Sequence, residues 1–159
     1  HSEIKKTYHN FCSNVCAGKY TNKNKETGVR RSKIELKLEQ QITIDYPELN
    51  ILYSDRKTLN GLELDIHIPS LKIAFEIQGI FHYEPIFGQE KLELIKDRDN
   101  RKKIACKELD IKLYEIDISH YNRISNTDFE VIYKQITDNL STTINHILTI
   151  SQQNIQILE

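Results

Sequence analysis

The stretch 62–82, LELDIHIPSLKIAFEIQGIFH, carries the residues whose spacing best supports chemistry. Leu62, Leu64, Ile66 and Ile68 alternate with Glu63, Asp65 and His67. Beyond Pro69-Ser70, Leu71, Ile73, Phe75 and Ile77 alternate with Lys72, Ala74, Glu76 and Gln78. Period-two alternation on both sides of a Pro-led turn predicts a β-hairpin. A turn centred between Pro69 and Ser70 opposes Ile68 to Leu71, Ile66 to Ile73, Leu64 to Phe75 and Leu62 to Ile77, so one face is expected to be wholly apolar. The other face then sets Glu63 opposite Glu76, with Asp65 diagonal to Glu76 and Gln78 further on. Carboxylates so placed repel one another, and a divalent cation between them relieves the repulsion, because hard cations take several oxygen ligands. The alternative is a solvated polar face.

Gly79 ends the second strand, and an aromatic loop with Phe81, His82, Tyr83, Pro85 and Phe87 follows. A histidine among aromatics is commonly a packing or surface group; its place just after the carboxylate strand also makes His82 a candidate proton carrier. Residues 89–109 form the longest helical pattern, with Leu92, Ile95, Asp99, Lys102, Cys106 and Leu109 on one stripe. Asp99 and Lys102 interrupt that stripe. They are either a surface ion pair or groups that meet the polar hairpin face. Lys96, Arg98, Arg101, Lys103 and Lys107 make the outer surface of the helix basic, which suits a phosphate backbone.

Several elements must position these groups. Ser32-Lys33-Ile34-Glu35 opens a helix expected over 32–45, and Ser32 with Glu35 matches a capping box. Residues 49–53 read as a first strand, joined to the hairpin through the Asn60-Gly61 turn signal. Residues 111–118 read as a fourth strand, expected to pair parallel to 71–78 because a helix intervenes. A second capping box at Thr127–Glu130 starts a helix over 127–147, and 149–159 is expected to be a fraying tail. The expected organisation is a basic segment with its linker at 1–31, a domain at 32–148 and a tail at 149–159. The expected class is α/β, a mixed four-stranded sheet flanked by helices with one helix at the C-terminal end.

The chain has 159 residues, with 22 basic and 23 acidic side chains, so no global positive field announces a nucleic-acid partner and local clusters must carry that case. It contains no Met, as expected of a fragment or processed product. No apolar run reaches membrane-spanning length, so no membrane partner is expected. Three cysteines fit a reducing, intracellular compartment. Cys12 and Cys16, in FCSNVCAGKY, have half the spacing of a zinc site or are ordinary thiols. A complete Zn²⁺ site would need ligands upstream of His1.

In order along the chain, IELKLEQQI, LELDIHIPSLKIAFEIQG, FHYEPIFG and DRDNRKKIACKELDIKLYEI resemble the PD-(D/E)XK nuclease superfamily, in particular its very-short-patch-repair-like and homing-type endonuclease branch. The resemblance covers about residues 11–118. FCSNVCAGKY is similar to the second half of a cysteine zinc finger of the kind phage and large-virus proteins carry ahead of the nuclease core. The resemblance implies a restriction-endonuclease-like core and a phage, viral or mobile-element source, with cytoplasm or nucleoid as the compartment. It implies Mg²⁺- or Mn²⁺-dependent cleavage of double-stranded DNA.

Carried over by position, Glu35 matches the first-helix acid, Asp65 the central metal-binding aspartate and Glu76 the acid of the second hairpin strand. His82 matches the histidine after the Gly-x-aromatic turn, and Asp99 and Lys102 the Asp-x-x-Lys of the next helix. Asp65 and Glu76 are then metal ligands, and Glu35 binds a metal-bound water or a second ion. His82, oriented by Asp99, handles the water proton. Lys102 neutralises the phosphorane. Lys96, Arg98, Arg101 and Lys103 contact DNA. The lysine that the superfamily places two residues after the strand acid is Gln78 here, and glutamine supplies neither charge nor base. Lys102 or His82 fills that role, or the domain is a non-catalytic nucleic-acid-binding module. Gln78→Lys is expected to be tolerated.

Overall fold

The computed structural model describes residues 31–156. The chain divides into two units, His1–Arg31 and Ser32–Glu159. Cys12, Cys16 and the basic segment lie outside the described residues.

Helix α1 is Lys33–Asp45, and its Ser32/Glu35 capping box is formed, with Ser32 Oγ accepting from the Glu35 amide and Glu35 reaching back to the Ser32 N–H. Strands β1 (Leu52–Leu59), β2 (Leu62–Ile68), β3 (Ile73–Gln78) and β4 (Lys112–Asp117) make one sheet in the order β1-β2-β3-β4. The first two pairings are antiparallel and β3–β4 is parallel, joined through helix α2, Gln89–Glu108. Helix α3 is Asn126–Gln156. The class is therefore α/β, with a mixed four-stranded sheet and three helices among the described residues, one of them C-terminal.

The layers follow from the apolar periodicities. Ile34, Leu38 and Ile42 of α1 and Phe129, Ile132, Ile136 and Leu140 of α3 pack with Ile66, Ile68, Ile73, Phe75 and Ile77. A smaller cluster of Leu59, Leu64, Ala74, Cys106 and Ile111 lies beneath α2. Burial of these side chains is the main term favouring the fold, each core Leu, Ile or Phe contributing about 1.5–3 kcal/mol.

Four expectations are corrected. The first strand is 52–59 rather than 49–53; its charged, bulged sequence hid it, and it ends in the expected Asn60-Gly61 turn, with φ of 50° and 104°. The hairpin register differs by two residues: Ile66 pairs with Phe75 and Ile68 with Ile73. The connection is a 3₁₀ turn, Pro69–Leu71, closed by Lys72 at φ 51°, which is longer than a two-residue turn. The even shift keeps the faces of β3. The cap of α3 is Ser125 with Asp128, not Thr127 with Glu130, and the helix continues through Gln156 instead of ending at 147. Leu109, expected on the buried stripe of α2, is half exposed because the helix ends one residue before it.

Alternation in β2 also slips. Ile66 and Ile68 belong to the larger core, but Leu64 packs on the α2 side with Cys106, so the wholly apolar hairpin face is not formed. On β1, Tyr53 contacts the larger core while Asp55 bonds His67. The pairs Tyr53–Ile66 and Asp55–Leu64 bracket Ser54, whose φ is 51°, and Asp65. A left-handed residue turns the strand over, and Asp65 sits at that turning point.

Candidate active site

One step beyond Ile66–Phe75 in the hairpin register stand Asp65 and Glu76. Asp65 Oδ2 accepts the Ile77 N–H at 2.8 Å, and Glu76 Oε1 accepts the Asp65 N–H at 3.4 Å. Glu63, expected opposite Glu76, is displaced along the strand and pairs with Arg56 at 2.5 Å.

Glu76 is 5% exposed and its Oε2 accepts from Nζ of Lys102, itself 6% exposed. Burial pushes Glu76 up to about 8, the Asp65 charge adding to the rise and Lys102 opposing it. Burial raises Asp65 to about 6, with Glu35 and Glu63 contributing and the Ile77 amide and Lys102 opposing. Buried carboxylates resist ionisation because the interior solvates charge poorly, and a second carboxylate deepens the penalty. Cys106, one turn beyond Lys102, is held to about 11 by burial and by Glu76.

His82 lies in a short 3₁₀ turn, Ile80–His82, and its Nδ1 is 2.7 Å from Asp99 Oδ2 of α2. Burial would raise Asp99, but the His82 hydrogen bond and charge, with Lys102 and Arg98, hold it below its ordinary value. Gln78, 7% exposed, donates to Glu115 on β4 and accepts the Tyr83 hydroxyl at 2.7 Å. Lys103 Nζ meets the other oxygen of Glu115 at 2.8 Å.

The structure thus joins Asp65, Glu76 and Lys102 directly, and His82 to Asp99. Glu35 acts on Asp65 through its charge while serving the α1 cap. Lys96, Arg98, Arg101 and Lys103 are on the exposed surface of α2. An open cleft of about 410 Å³ between the end of α2 and β4 is lined by Lys103, Lys107, Lys112 and Glu115, among others; Asp65 and Glu76 are not part of it.

Two groups escaped the sequence reading. Tyr83 and Glu115 are the partners of Gln78. Asp55 and His67 form a second buried pair at 2.8 Å, with Thr58 Oγ1 donating to Asp55 at 2.6 Å. Asp55 also accepts the amides of Lys57 and Thr58. The signal that could have exposed this pair is the Asp-x-x-Thr spacing of an Asx-type turn inside a polar edge strand.

Among the described residues no three His, Cys, Asp or Glu side chains converge as a metal-holding group. Two carboxylates still suit Mg²⁺, which commonly takes one or two protein carboxylates and completes its shell with water and phosphate oxygens. Asp65 Oδ1 and Glu76 Oε1 are the oxygens not engaged by Ile77 and Lys102.

No family model matches the chain, and no solved structure matches it. Over 64 residues it is 42% identical to uncharacterized protein 094L of Frog virus 3 (isolate Goorha), a match covering 37% of this chain and 41% of that protein. No helix among the described residues is long and apolar enough to cross a membrane.

Proposed function

We propose that residues 32–148 are a metal-dependent DNA endonuclease domain with a restriction-endonuclease-like core, from a viral or mobile-element source. The observation that carries this reading is the Asp65–Glu76 pair. It sets a buried carboxylate, Glu76, beside a half-buried one, Asp65, on adjacent strands, both pushed towards neutral pH, with Lys102 of α2 bonded to Glu76. A fold that needed only packing would place apolar side chains there, since buried charge is costly unless something binds it. The similarity to a Frog virus 3 protein supports the viral source.

Asp65 and Glu76 would hold Mg²⁺ or Mn²⁺, which polarises the phosphate and acidifies its bound water. The remaining steps belong to the chain. Nδ1 of His82 is fixed by Asp99, which leaves Nε2 to take the proton of the attacking water. Lys102 stabilises charge developing on the phosphoryl oxygens. Glu35 tunes Asp65 electrostatically. Lys96, Arg98, Arg101 and Lys103 present positive charge to double-stranded DNA.

A second reading rests on Gln78. With that side chain committed to Tyr83 and Glu115, the superfamily's lysine role is not filled from β3, which favours a binding module without catalysis. Incubating supercoiled plasmid with the protein and Mg²⁺, Mn²⁺ or EDTA separates the two. Nicking or linearisation with metal and none in EDTA is the expected result. Salt-sensitive binding without cleavage selects the second reading.

A further inference from the structure

We propose that Gln78 is a positioning residue for His82, making at the end of β3 a directed hydrogen-bond chain that locks the 79–88 loop onto α2. The proposal rests on the nuclease reading only for what His82 does, not for how it is held.

The chain of bonds runs from the loop to the helix. The Tyr83 hydroxyl donates to Gln78 Oε1 at 2.7 Å, Gln78 Nε2 donates to Glu115 Oε1, and Lys103 Nζ meets Glu115 Oε2 at 2.8 Å. Its polarity is fixed. A carboxylate only accepts, so Glu115 compels the amide nitrogen of Gln78 to face it. The amide oxygen must then face Tyr83, and Tyr83 must donate. Burial and the negative charges of Asp117, Glu115 and Asp99 raise Tyr83, which keeps its proton in place.

Tyr83 follows His82 directly, and His82 is tied to the same helix through Asp99 at 2.7 Å. Adjacent loop residues are therefore anchored to α2 by separate routes, one to Asp99 and one through Gln78 and Glu115 to Lys103. Asp99 and Lys103 are four residues apart, hence neighbours on the helix surface. Lys102 between them holds Glu76. The orientation of His82 relative to the carboxylate pair is thus set from α2 on both sides.

Leucine at position 78 is of similar size but neither donates to Glu115 nor accepts from Tyr83. Gln78→Leu therefore cuts the second anchor, whereas the ammonium of Gln78→Lys still donates to Glu115 and to the Tyr83 oxygen, in keeping with the expectation that it is tolerated.

The test uses the full chain with Gln78→Leu, Tyr83→Phe and the paired swap Gln78→Glu/Glu115→Gln. In the swap, the carboxylate now on β3 accepts from both Tyr83 and the amide now on β4, and the oxygen of that amide still accepts from Lys103. Three quantities are read: single-turnover cleavage of plasmid DNA with Mg²⁺, affinity for the same DNA in Ca²⁺, and the titration midpoint of the Asp99 carboxyl by NMR. Gln78→Leu and Tyr83→Phe should slow cleavage about 10- to 100-fold with affinity little changed, as misplacement of a reacting group does. The Asp99 midpoint should rise towards its ordinary value as His82 loosens, and the swap should restore rate and midpoint. Lower melting temperatures with an unchanged Asp99 midpoint and rate would overturn the proposal, as would a swap that restores nothing. If the parent does not cleave DNA, the nuclease reading fails and the Asp99 midpoint alone decides whether Gln78 positions His82.

Discussion

Asp65 and Glu76 each reach for the same seam of backbone: Asp65 takes the Ile77 N–H at 2.8 Å, and Glu76 takes the Asp65 N–H at 3.4 Å. Side chains therefore stand where a hairpin normally places main-chain bonds. Beyond the ladder that pairs residues 66–68 with 73–75, the seam between β2 and β3 is held by these acids, and its stability there depends on their charge state.

Asp65→Asn should raise the stability of the metal-free protein at pH 8. The Asn side-chain oxygen still accepts from Ile77, while the charge that repels Glu76 is gone. The sign follows from the raised values, about 6 for Asp65 and about 8 for Glu76. Acids with raised folded-state values favour the fold at pH below their unfolded values and weaken it as pH rises through the folded ones. The gain should be about 1–3 kcal/mol at pH 8 and vanish near pH 4, by urea unfolding at both pH values. Equal stability of parent and variant at pH 8 would show that the pair is not strained.

The same substitution should abolish metal-dependent cleavage, whereas Glu63→Gln should leave it within about twofold, because Glu63 is engaged by Arg56 away from Glu76. Single-turnover rates at saturating Mg²⁺ decide this. An Asp65→Asn protein as fast as the parent would place the reaction elsewhere.

Much of this arrangement is legible in the sequence, and the limits have physical causes. Side-chain alternation identifies β2, β3 and β4, and a helical crossover demands the parallel β3–β4 pairing. The α2 spacing brings Asp99 and Lys102 inward, as their contacts with His82 and Glu76 show. Alternation fixes which face a residue occupies but not which residue it opposes, since a two-residue slip preserves the faces. The turn through Lys72 sets that slip and moves Asp65, not Glu63, opposite Glu76. The left-handed φ of Ser54, which turns β1 over opposite the point where Leu64 of β2 faces the α2 side, has no sequence signal because serine rarely adopts it.

Lys102→Met should destabilise the protein more at pH 9 than at pH 5. Removing Lys102 leaves Glu76 buried without its cation, so Glu76 stays protonated and the variant forgoes the pair that the parent forms above about 8, an added cost of about 1–1.5 kcal/mol at pH 9. At pH 5 Glu76 holds a proton with or without Lys102, because its value of about 8 lies well above that pH. The cost there should be under about 2 kcal/mol, the usual penalty of lost packing and one hydrogen bond. Chemical denaturation at both pH values checks the difference, and pH-independent destabilisation would mean that Glu76 is neutral in the parent throughout. Cleavage should also be lost, since Lys102 is the lysine that contacts the carboxylate pair.

The Asp55–His67 pair should behave in the opposite sense with pH. Asp55 is lowered to about 2: burial opposes ionisation, but Thr58, His67 and the amides of Lys57 and Thr58 outweigh it. A carboxyl whose folded value is depressed contributes stability above its unfolded value, near 3.8, and loses it as pH falls through the folded one. Asp55→Asn should therefore cost about 1–2 kcal/mol at pH 7, after allowance for solvent screening, with the difference from the parent shrinking between about pH 4 and pH 2. DNA cleavage should change little at pH 7, because the pair bonds within β1 and β2 and touches neither Glu76 nor His82 in its hydrogen bonding. Thermal melts of both proteins across pH 2–7, with plasmid cleavage measured alongside, test both halves. A variant that melts with the parent at pH 7 would show that the buried pair adds nothing to the fold, and one that folds normally but no longer cleaves would make Asp55 and His67 part of the reaction.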